Sequence, residues 1–273
     1  MGNHEYDHIG RQHEGSGAPS GGWHPTWGNL GDDSHGECGV PTAARFNGTG
    51  SARPGVVGSN GVFWYSFDEG IVHVVVLSSE HNWTRGSRQH TWLEADLASV
   101  DRATTPWVVL ATHRMMYTTQ AMEMSDYNVS LHFRQEVEPL LKRYKVNLMM
   151  VGHQHSYERS CAAYAGKCVP TGEHGTVHMI VGSAGASLER HGFDPSLGEF
   201  SLKHVNDWGY ARLDATRERI KVQFVRTNAW HQDEEDDSEP SQAAAVDGVG
   251  GVREGKRMPP GSVWDEVEIL PWV

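Results

Sequence analysis

The sequence has no long apolar segment and no surplus of positive charge, and these two absences exclude broad classes of function. Its longest apolar run, near Ile71–Leu77, is interrupted by His73 and is too short to cross a bilayer. The formal net charge is -12, so counterion release does not favour binding to nucleic acid. Part of that charge lies in the acidic run Asp233–Asp237, which is typical of a solvated loop. We therefore expect no membrane and no nucleic-acid partner, while the oligomeric state stays open.

Cysteine is scarce, with three residues in the chain, so a site built on several thiolates is excluded. Cys161 and Cys168 are seven positions apart in a segment that contains Gly166. A small disulfide-closed loop can form there in an oxidising compartment, with the two Cα atoms within roughly 7 Å. Cys38 is then left as a buried thiol or an intermolecular partner.

A secretory leader is also missing, because Met1 is followed directly by Gly-Asn-His-Glu rather than by a basic and then apolar stretch. Three sequons for N-glycosylation nevertheless occur, at Asn47, Asn82 and Asn128. The sequons favour secretion and the missing leader argues against it, unless the chain is one part of a longer protein.

Helical and strand patterns alternate through the middle of the chain, and strands cluster near its end. Residues 11–60 are rich in Gly, Ser, Pro and Asn and read as a long loop. Two helices are predicted, one over Ser87–Val100 and one that starts at Ser130 and contains Pro139 as a kink or restart. Strands are predicted at residues 62–67, 71–77, 107–111, 146–151, 177–181, 208–213, 220–227 and 263–270.

This pattern predicts a layered α/β fold. The domain division that we expect is a catalytic-type domain over residues 1–231, an acidic and disordered excursion over 232–260, and a terminal strand of the same domain over 261–273.

Three short segments carry ligand-type side chains after a glycine or a predicted strand. They are Gly-Asn-His-Glu at 2–5, Ala-Thr-His at 111–113 and Gly-His-Gln-His at 152–155. Loops at the carboxyl ends of strands are where α/β folds place their sites. In an extended stretch His153 and His155 would point to the same side and could address two neighbouring cations. Imidazole with amide and carboxylate oxygen suits Zn, Fe or Mn.

These segments resemble the last three of five signature blocks of the calcineurin-like metallophosphoesterases. The longer stretches GNHEYD at 2–7, GECGVP at 36–41 with Arg45-Phe46, and GHQHSYER at 152–159 resemble the plant-type purple acid phosphatases. The Trp-Asp-Glu at 264–266 fits the same pattern less specifically. The resemblance implies a partial αββα sandwich, with His113 and the His153/His155 loop within about 10 Å of one another at one sheet edge.

The resemblance also implies a binuclear metal centre. Asn3, His113 and His153 would ligate a divalent metal (Zn, Mn or Fe), and His155 would ligate Fe(III). His4 would hydrogen-bond the phosphate and protonate the leaving alkoxide. Glu158 and Arg159, in the same block as His155, are expected to brace the loop rather than react.

The family's first two blocks do not precede Gly2 in this sequence, and Gly31-Asp32 is no substitute because His35 stands where the pattern needs Tyr. Those blocks supply the carboxylate that bridges both metals and the first strands of the sheet. We therefore expect a sandwich without its N-terminal strands and a fragment of a longer enzyme that is secreted, vacuolar or extracellular in full-length form. On this expectation the chain alone is a poor catalyst that holds a single divalent metal.

Hydrolysis of a phosphate monoester is the activity that the resemblance implies. One alternative is a phosphodiesterase or nucleotide pyrophosphatase of the same superfamily, since the shared blocks determine the metals and not the substrate. Another is a non-catalytic fragment that binds a metal or phosphate. Two metals per chain would favour an enzyme, whereas one or none would favour the non-catalytic alternative.

Overall fold

A computed structural model describes residues 2, 40–46, 58–121, 124–189, 191–227 and 260–271. Its helices are α1 (Val40–Arg45), α2 (Arg88–Ala98) and α3 (Met124–Arg143), with a short 3-10 turn at Pro195–Leu197. Its strands are β1 (Tyr65–Glu69), β2 (Val72–Val76), β3 (Trp107–Thr112), β4 (Leu148–Val151), β5 (Tyr157–Tyr164), β6 (Lys167–Cys168), β7 (Thr176–Val181), β8 (Ser201–Val205), β9 (Gly209–Ala215), β10 (Ile220–Arg226) and β11 (Val263–Ile269).

Eight of these strands form one mixed sheet. Their order is β1-β2-β3-β4-β7-β5-β6. Strand β8 also pairs with β5, on the edge of β5 that does not face β7. The four central strands β2, β3, β4 and β7 run parallel, whereas β1 and β5 are antiparallel to their neighbours. Helix α2 lies in the connection between β2 and β3, and α3 in the connection between β3 and β4. The carboxyl ends of the parallel strands therefore meet at one edge of the sheet.

Helices α2 and α3 pack against one face of this sheet. Helix α2 begins as predicted at Ser87, whose side chain accepts a hydrogen bond from the His90 backbone N–H. Its buried Trp92 and Leu93 join a core cluster that also contains Phe133 of α3. That cluster extends over Leu97, Val75, Leu110, Val137, Leu141 and Met149.

The predicted start of α3 is wrong. The helix begins at Met124, and Ser130 is a buried residue inside it rather than its N-cap. Pro139 lies within the helix and does not end it. A proline in a helix interior costs about 3 kcal/mol. The buried Val137 and Leu141 on either side offset this cost, because each removes a large apolar surface from water.

A second sheet covers the opposite face of the first. It has three antiparallel strands in the order β11-β10-β9. Ile220, Val222 and Ile269 from this sheet form a cluster with Trp107 and Met179 from the large sheet. The described residues thus form helix, sheet and sheet layers, and the predicted α/β class is confirmed.

Three strands were absent from the sequence-based prediction, namely β5, β6 and β8. Strand β5 has the sequence YERSCAAY, in which Glu158, Arg159 and Ser160 are buried. Polar residues at buried positions remove the apolar alternation by which strands are recognised. The expected terminal strand is present as β11, whereas most of the acidic segment 232–260 lies outside the described residues. None of the helices described here combines the length and hydropathy that crossing a bilayer requires.

Candidate metal centre

Polar and ligand-type residues follow three of the four parallel strands at their carboxyl edge, and a glycine follows the fourth. Glu80 lies four residues after β2, and His113 and Arg114 come directly after β3. His153 follows β4 by one glycine, and Gly182 follows β7. Because neighbouring parallel strands end at the same edge, the topology brings residues that are up to 102 positions apart, Glu80 and Gly182, to one side of the sheet.

His113 and His153 form a close pair of imidazoles. The Nδ1 atom of His153 lies 3.0 Å from the Nε2 atom of His113, and the two rings are 4.9 Å apart at an interplanar angle of 76°. Two nitrogens at a zinc-like bond length of about 2.05 Å from one ion and 3.0 Å from each other subtend about 94° at the metal. A tetrahedral angle would need about 3.3 Å, so a small adjustment would let both nitrogens bind one ion.

The backbone turns sharply to bring His153 to this position. His153 has φ 63°, in the left-handed region that few residues other than glycine adopt. The Gly152 N–H donates to the His113 carbonyl at 3.1 Å, and the Gln154 N–H donates to the Gly152 carbonyl at 2.8 Å. His153 and His155 therefore do not lie on one extended stretch, and that part of the sequence-based argument is wrong. Backbone strain of this kind is often found at ligand sites.

Gly182, the residue directly after β7, makes room for that turn. A Cβ atom at Gly182 would overlap the Gln154 backbone carbonyl. Strand β7 therefore approaches the histidine loop more closely than any side chain would allow. The sequence alone does not distinguish this glycine from others, because its role depends on the position of the Gln154 backbone in the fold.

His155 emerges from the same loop, two residues after His153, and is half-buried. Its Nδ1 atom lies 2.7 Å from the Ser187 carbonyl. A carbonyl can only accept, so Nδ1 is the donor and Nε2 keeps the lone pair that a metal would use. This contact prepares His155 to bind a cation through Nε2.

A buried ion pair that the sequence analysis missed lies next to the imidazoles. Arg114 Nε donates to Glu80 Oε1 at 2.9 Å, and the two side chains are 2% and 1% exposed. The Ser79 hydroxyl donates to Glu80 and accepts from the Arg114 backbone N–H. Arg114 Nη1 is also 3.4 Å from His153 Nε2. The partners are 34 residues apart, so no local motif reveals the pair.

Glu158 braces the loop that follows β3. It accepts hydrogen bonds from the Thr118 hydroxyl and from both the backbone N–H and the hydroxyl of Thr119. The Thr118 hydroxyl also lies 2.6 Å from Gln154 Oε1. Glu158 is therefore fully occupied in joining the His113 loop to the His153 loop, as its expected role requires.

Arg159 and Tyr157 are held by the last strand. Arg159 donates two hydrogen bonds to Asp265, and the Tyr157 hydroxyl donates a third to the same carboxylate at 2.8 Å. Burial lowers the pKa of Arg159, but the hydrogen bonds and charge of Asp265 outweigh it and leave that pKa above its ordinary value. Burial, together with the charge of Asp265, raises the pKa of Tyr157 as well. Asp265 thus ties both side chains to the second sheet.

The comparisons with known proteins identify the family of the chain. The pattern of the family described as calcineurin-like phosphoesterase matches residues 1–157, and that described as iron/zinc purple acid phosphatase-like protein C matches residues 175–237. The chain belongs to the calcineurin-like phosphoesterase family.

The relatives that this chain resembles include proteins named as purple acid phosphatases. It is 34% identical over 240 residues to the probable inactive purple acid phosphatase 9 of Arabidopsis thaliana, across 82% of this chain and 35% of that protein. It is 29% identical to a nucleotide pyrophosphatase/phosphodiesterase of Hordeum vulgare, across 69% of this chain and 53% of that one. The structure of a purple acid phosphatase from yellow lupin (Lupinus luteus) seeds matches with a TM-score of 0.68 and 27% identity, across 98% of this chain and 39% of that chain. The chain thus spans about a third to a half of the length of these proteins.

The imidazole pair fits part of the metal centre that the family implies. Within the described residues no group of three or more His, Cys, Asp or Glu side chains is placed to hold a metal ion. The other predicted ligand of the divalent metal, Asn3, lies outside those residues, and so does His4. His113 and His153 therefore fit as two ligands of one ion, and His155 fits as a separate donor.

The remaining predicted residues are the cysteines and the glycosylation sequons. Cys161 and Cys168 form a disulfide whose Cα atoms are 5.6 Å apart, within the limit that the sequence analysis set. Asn82 is half-buried, with its side-chain oxygen accepting from the Thr84 N–H and hydroxyl, and Asn128 is exposed on α3. The third sequon, at Asn47, and the remaining cysteine, Cys38, lie outside the described residues.

Proposed function

We propose that this chain supplies part of a metal-dependent phosphatase site that hydrolyses phosphate monoesters. The observation that carries the proposal is the pair of imidazole nitrogens, His153 Nδ1 and His113 Nε2, 3.0 Å apart at the carboxyl edge of the parallel strands. Membership of the calcineurin-like phosphoesterase family supports it.

The proposal assigns a task to each residue. His113 and His153, with the amide oxygen of Asn3, would hold a divalent ion (Zn, Mn or Fe), and His155 Nε2 would face Fe(III). Metal ions bound in such a site lower the pKa of a water molecule and neutralise charge on phosphate. His4 would donate a hydrogen bond to the phosphate and a proton to the oxygen of the leaving alcohol.

The test compares metal content and hydrolysis of p-nitrophenyl phosphate at mildly acidic pH in the parent chain and in two variants. His113→Ala removes one imidazole of the pair. His174→Gln is the matched control, because His174 precedes β7 and lies at the opposite edge of the sheet. We expect His113→Ala to lose metal and to slow hydrolysis by about a hundredfold or more, with the control close to the parent. If His113→Ala keeps the metal content and rate of the parent, the proposal is wrong.

Two observations favour other activities on the same site. The Arabidopsis relative bears the name of a probable inactive enzyme, which favours a chain that binds a metal or phosphate without turnover. The barley relative is a nucleotide pyrophosphatase/phosphodiesterase, which favours a phosphodiester or pyrophosphate substrate. One metal or none per chain without turnover would select the first, and faster hydrolysis of a dinucleotide than of the monoester would select the second.

We also propose that the protein is secreted or vacuolar. The Cys161–Cys168 disulfide supports this, because such bonds persist in oxidising compartments. Glycan attached at the exposed Asn128 or at Asn82 would show as a loss of mass on treatment with a glycosidase. A eukaryotically expressed full-length protein with no such loss would leave the location without this support.

A further inference from the structure

A cavity lies between helix α3 and the hairpin that joins β5 to β6, and we call it the hairpin cavity. It measures about 400 Å³, within the range of sites that hold small organic molecules. Its polar walls are formed by Arg134, Gln135 and Glu138 of α3 and by Tyr164 and Ala165 of the hairpin. Ala163 of β5 pairs with Thr176 at the start of β7. The hairpin therefore lies at the edge of the sheet opposite to the histidine pair.

Arg134 brings a positive charge to the hairpin cavity. Its guanidinium lies over the Tyr117 ring, 5.0 Å from the ring centroid. A Cβ atom at Gly166 would lie 3.6 Å from Arg134 Nη1, so the guanidinium also lies against the tip of the hairpin. Among the described residues, no acceptor lies within hydrogen-bond or ion-pair distance of this guanidinium. Its N–H donors can therefore bind an anion that enters the cavity.

Glu138 brings a buried acceptor to the same cavity and is 5% exposed. One of its oxygens accepts from the Tyr117 hydroxyl, and the other accepts from the Ala165 N–H at 3.0 Å. Burial raises the pKa of Glu138, although these hydrogen bonds favour its ionised form. Each oxygen of a carboxylate can accept a second hydrogen bond. A ligand beside Glu138 must therefore offer a donor, because an anion with acceptors alone would be repelled.

Arg134 and Glu138 together determine the chemistry of the ligand. It needs anionic oxygens for the guanidinium and a hydrogen-bond donor for the carboxylate. The monoanion of a phosphate monoester has both on one phosphorus atom, because it keeps one P–OH group at mildly acidic pH. Leu131, Pro139 and the Tyr164 ring line the same cavity and offer apolar surface to the organic part of the ester.

We propose that the hairpin cavity is a second, non-catalytic site for the monoanion of a small phosphate monoester, in which Arg134 binds the anionic oxygens and Glu138 accepts a hydrogen bond from the P–OH group. The choice of phosphate over other anions that carry a donor, such as α-amino acids, rests on the proposed function, since a phosphatase meets phosphate monoesters as substrates. A site at the opposite edge of the sheet lets such a compound bind without being hydrolysed.

The test is calorimetric titration of the metal-free chain at about pH 6, close to the second pKa of phosphate monoesters. The probe is phenylphosphonate, whose C–P bond resists hydrolysis and whose monoanion persists to near-neutral pH. Benzenesulfonate is the matched ligand, because it has the same ring and charge but no O–H group. We expect phenylphosphonate to bind at least about tenfold more tightly, since the sulfonate turns only acceptors toward Glu138. Inorganic phosphate, which lacks the ring, should bind more weakly than phenylphosphonate.

Two variants on α3 locate the binding site. Arg134→Gln removes the guanidinium from the cavity and should weaken phenylphosphonate binding about tenfold or more. Arg143→Gln is the matched control, because it removes the same charge from the same helix at an exposed position, where Arg143 pairs with Glu94 at 2.9 Å. Its Kd for phenylphosphonate should stay within about twofold of the parent.

Any of three results would overturn the inference. One is equal binding of phenylphosphonate and benzenesulfonate to the parent, a comparison that needs no variant to fold. Another is unchanged phenylphosphonate binding in Arg134→Gln. The third is a parent that binds phenylalanine and not phenylphosphonate, which would assign the cavity to amino acids. The proposed function fails by a different result, namely a His113→Ala variant that keeps the metal content and hydrolysis rate of the parent, whatever binds in the hairpin cavity.

Discussion

Removal of the charge on Asp265 is expected to destabilise the chain strongly, although this residue lies on the last strand and 106 positions from its partner Arg159. Asp265, Arg159 and Tyr157 are 6%, 7% and 1% exposed. Asp265→Asn leaves the Arg159 cation buried beside a neutral amide. Breaking a buried ion pair in this way costs about 3–5 kcal/mol, and we expect the lower end because the amide oxygen still accepts one hydrogen bond. For a chain of this size, about 3 kcal/mol lowers the midpoint of thermal unfolding by roughly 6–12 °C.

The control is the next residue on the same strand. Glu266 pairs with Lys221 at 3.0 Å, but its side chain is exposed and solvent screens the pair. Glu266→Gln removes the same charge and should leave the midpoint near that of the parent. Thermal and urea unfolding followed by circular dichroism would measure both variants. Equal destabilisation by Asp265→Asn and Glu266→Gln would refute the reasoning, because it would show that burial of the ion pair does not matter.

Three further changes test other parts of the structure. Gly182→Ala should force the histidine loop to move and weaken Zn²⁺ binding measured by calorimetry, whereas Gly192→Ala, where a Cβ meets open space, should bind like the parent. Burial lowers the pKa of His178 to about 3, so its contribution to stability is present above the unfolded-state pKa of 6.5 and is lost as the pH falls toward 3. His178→Phe should therefore lose less unfolding free energy than the parent between pH 6.5 and 4.5, by an amount on the order of 1–3 kcal/mol in urea titrations; equal losses would contradict it. The double change Cys161→Ser/Cys168→Ser reopens a short loop and should lower the unfolding free energy by about 2.5 kcal/mol, and an unchanged value would show that the disulfide adds nothing.

The elements that were predicted correctly are those whose own residues determine their structure. Strands β2 and β3 are largely apolar runs that are buried on both faces. Such a run is typical of a central parallel strand and can be recognised without knowing its neighbours. Helix α2 has both an N-cap at Ser87 and a periodic apolar face. Strand β5 has no apolar run by which it could be recognised. Its Arg159 is buried because it pairs with Asp265, which lies in a different sheet. Without knowledge of that partner, a charged residue such as Arg159 is predicted to be exposed.

The candidate site divides in the same way. His113 and His153 were predicted because each follows a strand end in a short motif that resembles those of the family. Glu80 and Arg114 were missed, although Arg114 Nη1 lies 3.4 Å from His153 Nε2 and Glu80 is paired with Arg114. Their burial depends on a contact between the ends of two neighbouring parallel strands, and the spacing of residues along the chain does not encode that contact.

The position of the site and the orientation of its ligands therefore depend on different interactions. Parallel strand pairing brings His113 and His153 to one sheet edge, whereas the contact of its Nδ1 atom with the Ser187 carbonyl orients the ring of His155. A cavity in the core, as in Leu110→Ala, removes transfer and packing energy from the whole fold and should lower stability together with metal binding. A change at Gly182 acts on the loop that carries His153, so Gly182→Ala should weaken metal binding while the core of the sheet stays intact.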